Sequence, residues 1–111
     1  MGIAMSKRWT ALSAEGLAPV AGHMGVYQLA DAAGAVLYIG YAGGRSLHGL
    51  RGELLRWQAT PGAHTHYRVE VNTAYLTRWM ELLMEHRARL GSLPVGNPPE
   101  DAARLGRLSP G

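Results

Sequence analysis

Two phenols near glycines are the first residues with chemistry to offer. Tyr27 closes Gly25-Val26-Tyr27, and Tyr38 opens Tyr38-Ile39-Gly40. A phenol with an ordinary pKa near ~10 is a weak base at neutral pH, so positive charge must stand nearby before it can hold a phenolate. Ten of the eleven Lys and Arg side chains are arginines, and a guanidinium forks phosphate oxygens with two donors where lysine offers a point charge. Glu81 and Glu85 are four apart, hence neighbours on one face if that stretch is helical, where they can also pair with Arg78 and Arg89. His64 and His66 sit two apart at the entry to an alternating run, a spacing that more often faces solvent than a ligand.

The elements that must position these groups can be read in order. Val26-Tyr27-Gln28-Leu29 and Val36-Leu37-Tyr38-Ile39 are rich in β-branched, aromatic and aliphatic residues. Between them, Asp31 can bond its own backbone and Gly34 can take a positive φ, so the spacing predicts a hairpin. Antiparallel pairing would bring both phenols to one end of the sheet. Leu47, Leu50, Leu54 and Trp57 fall at spacings of three, four and three, which predicts a helix over 45–57. His66 to Asn72 alternates polar with apolar and predicts a third strand whose Tyr67, Val69 and Val71 face the core. Asn72 or Thr73 then caps a long helix to about Leu90, with Leu76, Trp79, Met80, Leu83 and Leu90 as its apolar stripe. Gly91 and Pro94 end it.

In this order, Gly25-Val26-Tyr27, a hairpin, Tyr38-Ile39-Gly40 and the elements that follow resemble a GIY-YIG nuclease domain. The resemblance implies a small α/β fold with a central three-stranded sheet, in the order β-β-α-β-α, flanked by helices. It covers 25–97, leaving 1–24 as a leader with a short helix over 9–16, and 98–111 as a weakly packed tail. The implied activity is that of a stand-alone endonuclease cleaving DNA phosphodiesters with Mg²⁺ or another divalent cation. Tyr27 would position or activate water, and Tyr38 would assist it. An arginine on the following helix would stabilise charge at phosphorus; Arg51 is preferred to Arg56, with Arg45 just before them. The metal carboxylate belongs on the long helix, where Glu81 is preferred and Glu85 is second. Gly25 and Gly40 support the site. Asn97, in Pro94-Val95-Gly96-Asn97, matches a Pro-x-x-Asn ending and is expected to tie down its loop. No lysine follows the second tripeptide, where Tyr41 stands instead. The alternative within the same fold is a catalytically inactive module that binds nucleic acid or protein.

Composition sets bounds. With 111 residues the chain suits one domain, and with no cysteine it can form neither a disulfide framework nor a thiolate metal site. No stretch approaches the ~20 apolar residues of a membrane span, and no apolar leader with a cleavage site opens the chain, so a cytoplasmic protein is expected. The net charge of +3 is compatible with nucleic acid but does not require it. Substrate choice would come from a separate specificity protein or from DNA shape.

Overall fold

A computed structural model describes residues 3–108, with side chains to residue 105; the ends of the expected leader and tail lie outside these. Its sheet has four strands rather than three. In chain order the elements are β1 (Thr10–Ala11), α1 (Ala14–Leu17), β2 (Gly25–Ala30), β3 (Val36–Ala42), α2 (Gly49–Gln58), β4 (His66–Val71), α3 (Tyr75–Leu90) and α4 (Pro99–Leu108). The strand order is β1-β4-β2-β3, antiparallel throughout.

The hairpin forms as its chemistry demands. Asp31 Oδ1 accepts from the amides of Ala33 and Ala35, and Gly34 takes φ +86°. Tyr27 then pairs with Gly40, and Leu29 with Tyr38, which puts both phenols on one face. Every residue of β2 is buried because this central strand is covered on both sides. On one face Tyr27 and Leu29 pack with Leu17, Leu50, Leu54 and Tyr67 under α2. On the other, Val26 and Ile39 pack with Met5, Trp79, Leu82, Leu83 and Leu105 under α3 and α4.

Several boundaries differ from the expectation for physical reasons. The helix foreseen over 45–57 begins only at Gly49, because His48 and Gly49 both take positive φ (62° and 57°), and Leu47 is left exposed. The α3 stripe is Trp79, Leu82, Leu83 and His86; Leu76 and Leu90 lie outside it. Val71 does not face the core: it ends β4 at the sheet margin, 60% exposed.

The helix expected over 9–16 is instead a two-residue strand followed by the single turn of α1, with Ser13 capping Gly16. The leader is also tied in. Met5 is buried, Arg78 donates to the Ile3 carbonyl, and the Arg68 guanidinium lies 4.1 Å from the Trp9 ring centre.

Within the expected tail, Pro99–Leu108 folds as α4, correcting the expectation of weak packing there. Pro99 begins the helix, where a missing N–H costs nothing, and Glu100 and Asp101 meet the positive end of its dipole. Leu105 inserts into the core at 1% exposure. Leu105→Ala should therefore lower unfolding stability by about 2–5 kcal/mol, measured from denaturant midpoints; a change under about 0.5 kcal/mol, as at surface sites, would show that α4 does not pack there.

Candidate functional site

The tyrosine end of the hairpin is held by contacts from α2. Leu50, Glu53, Leu54 and Trp57 share one helical face, so Glu53 sits inside the apolar stripe and is carried under the sheet. Tyr27 Oη donates to Glu53 Oε1 at 3.0 Å and accepts from Trp57 Nε1 at 2.9 Å. Arg56 closes on the same carboxylate oxygen at 2.8 Å. His64 Nε2 lies 3.0 Å from the Trp57 carbonyl and 2.8 Å from that of Thr60, its ring edge-on to the indole. Tyr38 packs against both aromatics, with ring centres 6.0 Å from Tyr27 and 4.9 Å from Trp57.

Gly40 makes this arrangement possible. A Cβ at that position would stand 2.5 Å from the tip of the Tyr27 ring and 2.7 Å from the Tyr38 ring. Gly25 meets the same constraint from the β4 side, where a Cβ would lie 2.2 Å from the Glu70 carbonyl oxygen.

Electrostatics hold both phenols neutral. Burial first, then the Tyr38 phenol and the Glu53 carboxylate, push the Tyr27 pKa far above its ordinary value of 10. Tyr38 is raised as well, first by burial and then by Asp101 and Glu53. It is the more accessible of the two, bordering an open cleft of about 320 Å³ that Ser46, Glu53, Asp101 and Arg104 also line. Asp101 is oriented by Asn97 Nδ2 at 3.0 Å, and the Arg104 guanidinium stands 4.8 Å from the Trp79 ring centre.

The other residues singled out from the sequence lie apart from this network. Arg51 Nη1 donates to the carbonyls of Leu17 (2.8 Å) and Val20 (3.2 Å), so this one nitrogen ties α2 to the end of α1 and the α1–β2 connection. Glu81 faces Arg78 at 3.5 Å in a separate groove with Ile3, Lys7 and Glu70. Glu85 is paired with Arg89 at 2.8 Å. Asn97 clamps β3, accepting from the Ile39 amide at 3.0 Å and donating to its carbonyl at 2.9 Å. Glu81 and Glu85, the residues expected to hold a divalent cation, each face an arginine of α3. Among the described residues no three His, Cys, Asp or Glu side chains come together as a ligand set.

Glu53, Asp101 and Arg104 are not among the residues the sequence singles out, and Trp57 enters there only as part of an apolar stripe. For Glu53 a signal existed, since a carboxylate three residues from Leu50 and four from Trp57 falls within their stripe. Asp101 and Arg104 depend on α4, which the prolines concealed.

Together these features define a small α/β domain with a closed tyrosine–glutamate–tryptophan network beside an open cleft. Residues 3–89 match the family described as a domain of unknown function, DUF7508, and the chain belongs to that family. The matched span includes Tyr27, Tyr38, Glu53 and Trp57 and stops short of Asn97, Asp101 and Arg104. No curated protein and no solved structure matches the chain. No described helix is long and apolar enough to cross a membrane.

Two substitutions test these assignments. Tyr27→Phe leaves the Trp57 N–H without a partner and takes one of the two donors from Glu53 Oε1, and should cost about 1–3 kcal/mol. The folded chain holds this proton more tightly than the unfolded one. Its contribution is therefore complete below the unfolded phenol value of about 10 and is lost as pH rises above it. The stability gap between parent and Tyr27→Phe should narrow over that range. Arg51→Ala should cost about 1.5–3 kcal/mol, the range for hydrogen bonds made by a charged donor; a variant as stable as the parent would free Arg51 for another role.

Proposed function

We propose that this is a GIY-YIG-like domain that works by binding a partner rather than by hydrolysing DNA, with the tyrosine end of its hairpin converted into core. The observation that carries this reading is the Tyr27 hydroxyl, whose proton goes to Glu53 and whose lone pair takes the Trp57 N–H. Phosphodiester hydrolysis needs a group able to take a proton from water and positive charge at the phosphorus. Here the α2 side chains that reach the phenol are an acid and an indole, and neither carries positive charge. A phosphate approaching it would meet the carboxylates of Glu53 and Asp101, offset only in part by Arg56 on Glu53 and by Arg104 in the cleft lining, and like charges near a protein surface repel. The same charges favour a protein partner over nucleic acid at this cleft.

One observation favours hydrolysis as a second reading. Tyr38, Glu53, Ser46 and Asp101 line the same cleft, and all are hard oxygen donors of the kind that Mg²⁺ accepts alongside substrate phosphates. That reading would move the cation from Glu81 and Glu85 to Glu53 and Asp101.

Incubation with linear and branched DNA, with Mg²⁺ or Mn²⁺ and with chelator, separates the two. The binding reading predicts no metal-dependent cleavage by the parent chain. Cleavage that stops with chelator and in both Glu53→Gln and Asp101→Asn would establish the second reading instead. DNA affinity should be weak, its logarithm falling by no more than about two units per decade of salt, the slope of roughly two phosphate contacts. A slope of several units would mark a nucleic-acid module.

A further inference from the structure

The two edges of the sheet are treated differently. The β3 edge is covered by the loop after α3: the Gly96 amide donates to the Leu37 carbonyl at 2.8 Å, and Asn97 holds both backbone groups of Ile39. The opposite edge is covered only at one end. There β1 pairs Thr10 with Tyr67 and Ala11 with His66, the Leu12 amide donates to the Thr65 carbonyl, and the pairing does not extend toward Val69.

Beyond that point the backbone N–H and C=O groups of Val69 and Val71 face outward. The Asn72 amide donates to the Met24 carbonyl, so Met24 and Asn72, next in register after Gly25 and Val71, form a pair of the hydrogen-bonded kind. In an antiparallel ladder the alternate pairs, Gly25 with Val71 and Tyr27 with Val69, then turn their N–H and C=O groups away from each other. The outward groups of Val69 and Val71 have no strand partner among the described residues.

A groove of about 460 Å³ runs beside them. Its apolar wall comes from Pro19, Val20, Leu50 and Val69, and its cationic members include Lys7 and Arg8. No carboxylate lines it. An unpaired edge beside an apolar groove is the arrangement that strand addition uses, with main-chain bonds giving affinity and alternate side chains entering pockets.

We propose that the outer edge of β4 at Val69–Val71 receives an extended segment of a partner protein, apolar at alternate positions and carrying Asp or Glu between them. The charge of the groove selects this occupant over a second copy, because pairing two β4 edges would set Lys7 and Arg8 against their equivalents. The inference names a partner class for the binding reading above. It uses none of the tyrosine network, so DNA cleavage at that end would leave it standing.

The test uses the whole chain and three fluorescein-labelled eight-residue peptides: one alternating Val and Glu, one alternating Val and Lys, and the Val/Glu peptide N-methylated at alternate backbone nitrogens. Fluorescence anisotropy should show saturable binding of the Val/Glu peptide, with the other two weaker by at least about tenfold. Amide exchange at Val69 and Val71, followed by NMR, should slow on saturation. Val71→Pro removes an outward N–H while sparing the ladder to β2, and should weaken binding by about tenfold with the fold retained. Lys7→Glu combined with Arg8→Glu should do the same. Equal binding of the Val/Lys peptide, unchanged exchange at Val69 and Val71, or no saturable binding of the Val/Glu peptide would overturn the proposal. Self-association abolished by Val71→Pro would assign the edge to a second copy.

Discussion

The bond between the Tyr27 hydroxyl and Glu53 is the constraint on which the tyrosine end of this fold depends. Tyr27 stands on the central strand, covered on both faces, at 1% exposure. A hydroxyl there must be satisfied within the protein, since an unpartnered buried polar group costs on the order of 1–3 kcal/mol. Glu53 and Trp57 satisfy it from one turn of α2, and Arg56 balances the carboxylate at the rim. That demand fixes which face α2 presents to the sheet. With Glu53 and Trp57 turned inward, Arg51 points toward the α1–β2 connection and holds it through two carbonyls. Gly40 follows from the same cause, because only a residue without Cβ leaves room for the phenol beside β3.

A second set of ties runs along the margins. Asn97 grips Ile39 and orients Asp101, so the loop after α3 both covers the β3 edge and delivers α4 to the cleft. On the other side Glu70 and Arg78 form a two-pronged ion pair, with contacts of 2.8 and 3.1 Å, and the same arginine holds the Ile3 carbonyl. Glu81 stands beside that pair. It lies one helical turn from Arg78 and adds to a structural cluster joining β4, α3 and the N-terminal segment.

What the sequence made legible was what short-range physics decides. The hairpin followed from β-branched runs around an Asp and a Gly, and with it the neighbourhood of Tyr27 and Tyr38. The strand over 66–71 and the long helix followed from their periods. β1 was not legible, because two residues cannot display an alternation and their pairing depends on β4 brought near by tertiary structure. α4 was obscured by Pro98 and Pro99, which read as breakers when Pro99 in fact occupies the helical position that tolerates proline. The site was the least legible part. Choosing Arg51 required knowing the rotation of α2 about its axis, which the burial of Glu53 and Trp57 sets. The order of Glu81 before Glu85 could not be read from the sequence either, because which arginine each one faces, Arg78 or Arg89, depends on the folded helix and its neighbours.

The central claim is that Tyr27 is held as a neutral, doubly bonded phenol and is not a group poised to ionise. The most direct test is NMR of the chain carrying ¹³C at the tyrosine ring carbon that bears the hydroxyl, titrated toward alkaline pH with and without Mg²⁺ and a short DNA duplex. The Tyr27 resonance, assigned by its loss in Tyr27→Phe, should stay unmoved past the ordinary phenol value of about 10 until the fold opens, whatever is added. A Tyr27 titration at or below that value, or one drawn downward by Mg²⁺ and DNA together, would contradict the account and return this tyrosine to catalysis.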